Sequence, residues 1–335
     1  MHRNASESAL SSLSFVVPSL DGEERLLFIC RWLQASNFTG KYIIVDATID
    51  DRTACYEDFS FVRYLHRPKT DAIAAAVIGM QTVKTEFSAF MGDDDVPLLS
   101  GYEKCVEALS RNTEYDSSHG YATYFDVEDS LKFSRLSLGV KLFYALKLIV
   151  SPRYDTVIDL GDANVGRRLA NIAMDYCVTQ FFVTRTSLTQ QLYSEVMADI
   201  GDIHTSEYLL CYAQTAIARS LFVSSHYLMR GLGKHRPNSR LEEVRHVLDS
   251  SGSVEKRVRF FVDSLSVTSE TANLIYWLSL SQRYRSAIKN GLNIKHGSNA
   301  REYVLHQIRR LWFCSSFQSI ERLKFIWWLR SESAG

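Results

Sequence analysis

Short apolar runs alternate with amphipathic segments through the first third of this 335-residue chain, and that alternation limits the fold more than any other feature. Ser14-Phe15-Val16-Val17-Pro18 is an apolar run stopped by proline, as suits a strand buried in a parallel sheet. After the acidic turn Glu23-Glu24, Leu26, Ile29, Cys30 and Leu33 recur at helical spacing. Residues 41–46 (KYIIVD) and 61–65 read as two more strands, and Ile73, Ala76, Val77 and Met80 mark a helix. A fourth strand is expected over 86–91, before a helix with Leu98, Tyr102, Cys105, Val106 and Leu109 on one face. This order predicts βαβ units, an α/β fold with a mostly parallel sheet flanked by helices. Ligands of such sheets lie at the carboxyl ends of the strands. Here those ends are 18–25, 46–51 and 92–95, and each carries acidic residues.

The later chain is less regular. One strand is expected at 119–125 and another at 180–184, with helices over 161–177 and 207–218. Beyond Arg240 the apolar spacing is helical, and a boundary falls near Arg236-Pro237-Asn238-Ser239. The expected organisation is therefore one unit over 12–238, with 12–125 and 126–238 as its halves, and a helical region over 239–335. Lys plus Arg and Asp plus Glu both number 38, so no global field draws in nucleic acid. The six cysteines are scattered without a Cys-x-x-Cys pair, which with the lack of a secretory-type leader or a long apolar run predicts a cytoplasmic protein.

The strongest chemical signal is Gly92-Asp93-Asp94-Asp95, between a buried strand and a helix with Pro97 near its start. Helix capping accounts for one aspartate. Three adjacent carboxylates repel one another and raise one another's pKa unless a cation neutralises them. A hard divalent ion sharing diphosphate oxygens suits them, because Mg²⁺ takes only one or two protein carboxylates.

The segments FVVPSLDGEERL, KYIIVDATID, DAIAAAV and FSAFMGDDDVPLLSGYEKCVEAL, in this order and spacing, resemble the nucleotide-diphospho-sugar transferases of glycosyltransferase family 2, nearest to a bacterial branch with a Gly-Asp-Asp-Asp motif. The resemblance covers residues 14–125 and continues weakly to about 235. It implies a GT-A, Rossmann-like fold, a nucleotide-sugar donor (UDP-type favoured), and a divalent Mg²⁺ or Mn²⁺. It implies Pro18 beneath the nucleotide, Glu23 near base and ribose, Asp46 on the base and Asp71 beside the uracil-type pocket. Asp93 would meet ribose or a metal-bound water and Asp95 the metal, with Asp94 able to do either. Each has a plainer reading: Glu23 with Glu24 complements a helix dipole, while Asp46 and Asp71 cap a turn and a helix. The loop Ser19-Leu20-Asp21-Gly22 departs from the Asn or Asp next to Arg or Lys found in many relatives.

Inversion at the anomeric carbon needs a carboxylate base. The resemblance implies one at a later helix N-terminus, where Glu207 is the candidate and Asp199 and Asp202 its rivals. His119 reads more readily as structural, and Arg185 serves a diphosphate or a salt bridge equally well. The aromatic and basic stretch 309–330 suits an anionic membrane surface or, preferably, packing on the catalytic unit or a second subunit. The expected function is inverting sugar transfer to a hydroxyl of a glycan or lipid-linked acceptor in bacterial surface-glycan synthesis, in the cytoplasm or peripherally at the membrane's inner face. The alternatives are an inactive GT-A-like binding module and a nucleotidyltransferase, although the latter wants a Gly-rich basic loop that Ser19-Leu20-Asp21-Gly22 is not.

Overall fold

The computed structural model describes residues 8–125, 158–196, 203–231, 259, 262, 263 and 265–279. The expected boundary at 236–239, the rivals Asp199 and Asp202, and the aromatic–basic stretch 309–330 lie outside the described residues.

The apolar runs become strands as expected: β1 (Leu13–Ser19), β2 (Lys41–Asp46), β3 (Val62–His66) and β4 (Phe87–Phe90). β1 pairs in parallel with both β2 and β4, and β2 with β3. Helix α1 (Glu23–Ala35) begins on Glu23 and Glu24, and buries Leu26, Ile29, Cys30, Trp32 and Leu33. Its acidic first turn meets the positive helix end. Helix α2 (Ala72–Thr82) is alanine-rich, and Asp71 caps it by accepting the Ala74 N–H at 2.8 Å. Gly79 lets α2 lie directly on the sheet, since a Cβ there would stand 2.4 Å from Val16.

The sheet grows beyond β4 by strands of both directions. These are the two-residue β5 (Val96–Pro97), β6 (Ser117–Phe125), β7 (Val183–Arg185) and the long β8 (Ser220–Gly231), separated by helices α3 (Leu99–Arg111), α4 (Val165–Met174), α5 (Thr186–Val196) and α6 (Ile203–Ile217). The order is β3-β2-β1-β4-β7-β6-β8-β5, an eight-stranded mixed, mostly parallel sheet with flanking helices. β7 runs antiparallel to both neighbours, and Thr184 bridges β4 and β6 by pairing with Ser88 on one side and Ser117 on the other. Pro97 sits on the edge strand, where its missing N–H costs no ladder bond, and its carbonyl accepts the Trp32 indole N–H at 2.9 Å.

Two expectations shift. The strand expected over 180–184 is a 3-10 turn (Thr179–Phe181) leading into β7. Helix α6 starts at Ile203, so Glu207 lies in its second turn rather than opening it. The buried Arg168 closes α6 by donating to the carbonyls of Thr215 and Ala216 at 2.8 and 2.7 Å, a cation on the negative helix end. A further helix covers 269–279. Among the described residues no helix is long and apolar enough to cross a membrane.

Candidate active site

The parallel pairing sets the carboxyl ends of β2, β1 and β4 side by side. Because Met91 N–H donates to the Val16 carbonyl at 2.9 Å, the turn Gly92-Asp93-Asp94-Asp95 hangs over the end of β1. There the first-strand loop meets it. Ser19 Oγ donates to Asp93 Oδ2 at 3.1 Å, and Arg25 Nη2 donates to the same oxygen at 2.7 Å. Gly22 fits only because it has no side chain: a Cβ would stand 2.3 Å from Asp93 Oδ2 and 2.4 Å from Ser19 Oγ. Asp21 takes a left-handed φ of 55° and donates its N–H to Thr48 Oγ1, which ties this loop to the one after β2.

The other side of the turn is closed by β8. Asp95 is 3% exposed, and its two oxygens accept the N–H of Gly92 at 2.9 Å and of Gly231 at 3.0 Å. Asp95 is therefore a clasp between the β4 turn and the end of β8, and burial pushes its carboxyl up against the pull of Arg230. Asp94 is pressed against Gly231, where a Cβ would stand 2.7 Å from its Cγ. Burial first, then the charges of Asp95 and Asp93, push Asp94 up to about 7. A carboxyl so poised gains from any cation placed beside it.

The other expected residues are distributed around this turn. Asp46 is buried and uses one oxygen on Thr48 N–H at 2.9 Å and the other on the Tyr64 hydroxyl at 2.7 Å. Glu23 pairs with Arg52 at 2.8 Å. Pro18 is half-buried opposite Val45, and Asp71 is an exposed cap on α2. Glu207, on α6, receives the Tyr176 hydroxyl at 3.1 Å, a bond separate from those of the triplet. Aromatic side chains span the interval. The Arg230 guanidinium lies 4.6 Å over Phe181, whose ring is 5.9 Å from Phe90, and Phe90 stacks on Tyr193, a neighbour of Glu207.

His119 stacks on Phe182 at 4.0 Å and is buried, which is the structural role. Arg185 donates to the carbonyls of Leu109 and Tyr115 and pairs with Glu86 at 3.7 Å, closing the end of α3. Sequence reasoning did not pick out Arg25, Arg230 or Gly231 as parts of this site. No local pattern distinguishes them, since each reaches the triplet only through the folded chain.

No protein-family model matches this sequence, and no curated protein matches it. Solved structures do. The fold is shared with TarS of S. aureus, a glycosyltransferase. TarS 1–349 superposes with a TM-score of 0.53 at 12% identity, covering 85% of this chain and 75% of that one. Its complex with UDP-GlcNAc gives 0.54 at 12% identity over 85% and 76% of the two chains, and its complex with UDP gives 0.51 at 11% over 96% and 87%. Against a longer TarS structure the match covers 45% of that chain.

Among the described residues no set of three or more His, Cys, Asp or Glu is arranged to hold a metal by itself. The donor chemistry of the triplet nonetheless fits a hard divalent ion that draws its remaining oxygens from phosphate and water. The carboxylates are adjacent, and one of them is pushed to about 7 by its neighbours and burial.

Proposed function

We propose that this protein is an inverting glycosyltransferase of the family 2 type that moves a sugar from a UDP-linked donor to a hydroxyl of a glycan or lipid-linked acceptor in surface-glycan synthesis. The observation that carries the reading is the acidic turn at the carboxyl end of β4, held from both sides by the loop after β1 and the end of β8. The shared fold of TarS, whose structures hold UDP and UDP-GlcNAc, supports the same donor class. In this reading residues 12–125 form the donor half, 126–238 the acceptor half, and 239–335 a helical C-terminal region.

Asp93 and Asp95 would hold a divalent cation, with Asp94 the third carboxylate of the turn and Asp95 using the lone pairs that Gly92 and Gly231 leave free. Once bound, such an ion supplies Lewis-acid stabilisation of the departing diphosphate. The residues of the chain do the rest. Arg25 holds Asp93 in place, and Arg230 adds positive charge beside Asp95. Pro18, Glu23, Asp46 and Asp71 shape the nucleotide side, with Asp46 acting through Thr48 and Tyr64. Glu207 takes the proton of the acceptor hydroxyl as that oxygen bonds to the anomeric carbon. The bond from that carbon to the phosphate oxygen breaks, and its electron pair leaves with the nucleoside diphosphate. The proton then passes from Glu207 to solvent.

Calorimetric titration with UDP and UDP-GlcNAc, with and without Mn²⁺, tests the donor site. Cation-dependent binding that Asp94→Asn and Asp95→Ala both abolish is the expected result. Absence of binding under every condition would sink the reading.

A further inference from the structure

The carboxylate of Glu207 is half-buried and meets a phenol. Tyr176 donates its hydroxyl to Glu207 Oε1 at 3.1 Å. Its ring is held between Tyr208, 5.0 Å away at 65°, and Tyr212, 6.3 Å away at 38°. The donor is thus fixed by packing rather than by the glutamate. Tyr193, near enough for its phenol to feel the Glu207 charge, is 1% exposed; its hydroxyl has no hydrogen-bond partner and its ring stacks on Phe90 at 6.2 Å. Phe90 ends β4 and so leads directly into the acidic turn.

A glutamate side chain loses several rotamers' worth of entropy when it is held in one geometry, and a base must be so held to take a proton in the transition state. With Oε1 occupied by the Tyr176 hydroxyl, Oε2 is left to receive the proton. We propose that Tyr176 is a positioning residue that aims Glu207 by hydrogen-bonding one of its oxygens, an inference that rests on the proposed role of Glu207 as base. Tyr176 touches no reacting atom. Its hydroxyl also meets the Cys211 thiol, and its effect on the reaction runs through Glu207.

The test uses the full chain and turnover of UDP-GlcNAc with water as acceptor, read as UDP release. Tyr176→Phe removes only the hydroxyl and keeps the ring between Tyr208 and Tyr212. It should lower kcat about tenfold while leaving KM and UDP affinity unchanged, the signature of an interaction that matters in the transition state. On a Glu207→Gln background the same change should cost nothing further, because two residues acting as one unit are not additive. An unchanged kcat in Tyr176→Phe overturns the inference. So does a loss shared by kcat and UDP affinity, which marks a structural residue. Failure of the underlying reading looks different: either wild type releases no UDP, or Glu207→Gln turns over like wild type, and in both cases the positioning role falls with it.

Discussion

Arg25, in the first turn of α1, donates to Asp93 across 2.7 Å, so the helix after the first strand reaches the acidic turn after the fourth. The pair is half-buried, with side chains 33% and 21% exposed. Arg25→Met keeps the aliphatic stem and removes the charge. It should cost about 1–2 kcal/mol in urea unfolding, a value typical of a charged hydrogen bond at partial exposure. Mn²⁺ should restore more stability to the variant than to wild type, because the triplet then lacks its own cation.

Asp94 and Asp95 should both be needed for cation-dependent UDP binding yet act with opposite sign on stability. Asp95→Ala leaves the Gly92 and Gly231 N–H groups without acceptors, and roughly 2–4 kcal/mol of stability should go with them. Asp94 has the opposite sign. Its folded pKa of about 7 stands above the unfolded 3.8, so the folded state binds the extra proton and stability falls as pH rises from about 4 to 7. Asp94→Asn should therefore hold or raise the melting temperature at pH 7.5 while abolishing cation-dependent UDP binding. Thermal melts and calorimetry on the two variants decide the matter.

Gly22→Ala places a methyl group where Asp93 and Ser19 already stand, with contacts of 2.3 and 2.4 Å. The Asp93 carboxylate and the Ser19 hydroxyl must move aside. UDP affinity should drop at least tenfold (about 1.4 kcal/mol) with the sheet intact by circular dichroism. Unaltered affinity would show that Asp93 is remote from the nucleotide.

Burial lowers His119 to about 4 from its ordinary 6.5. The unfolded chain therefore takes up the proton first as pH falls. The stabilisation is complete above about 6.5 and is lost through that point down to about 4, in all roughly 3 kcal/mol. His119→Phe, which can keep the stack on Phe182, should flatten the stability profile between pH 6.5 and 4.5 in urea titrations.

The first four strands and the helices between them were largely legible in the sequence. The strands are continuous apolar runs and the helices carry clear 3.6-residue faces, so β1, β2, β4, α1 and α2 fall within a residue or two of expectation. The later half was less so. β7 is only Val183–Arg185, too short to show any period, and α6 opens at Ile203, four residues before Glu207. Capping was legible where it is local: Asp71 accepts the N–H three residues on, as its position before an alanine run suggested.

What the sequence by itself determined is the order of strands and helices, and hence that three acidic segments end up at one edge of a sheet. Periodicity and strand-end rules act over a few residues and need no partner. The tertiary structure alone decided what each carboxylate engages. Asp95 is engaged by Gly231, 136 residues away, Asp93 by Arg25, 68 away, and Asp46 by Tyr64, 18 away. What holds each aspartate is burial and a donor brought in by the fold, and neither is written in its own neighbourhood of the chain.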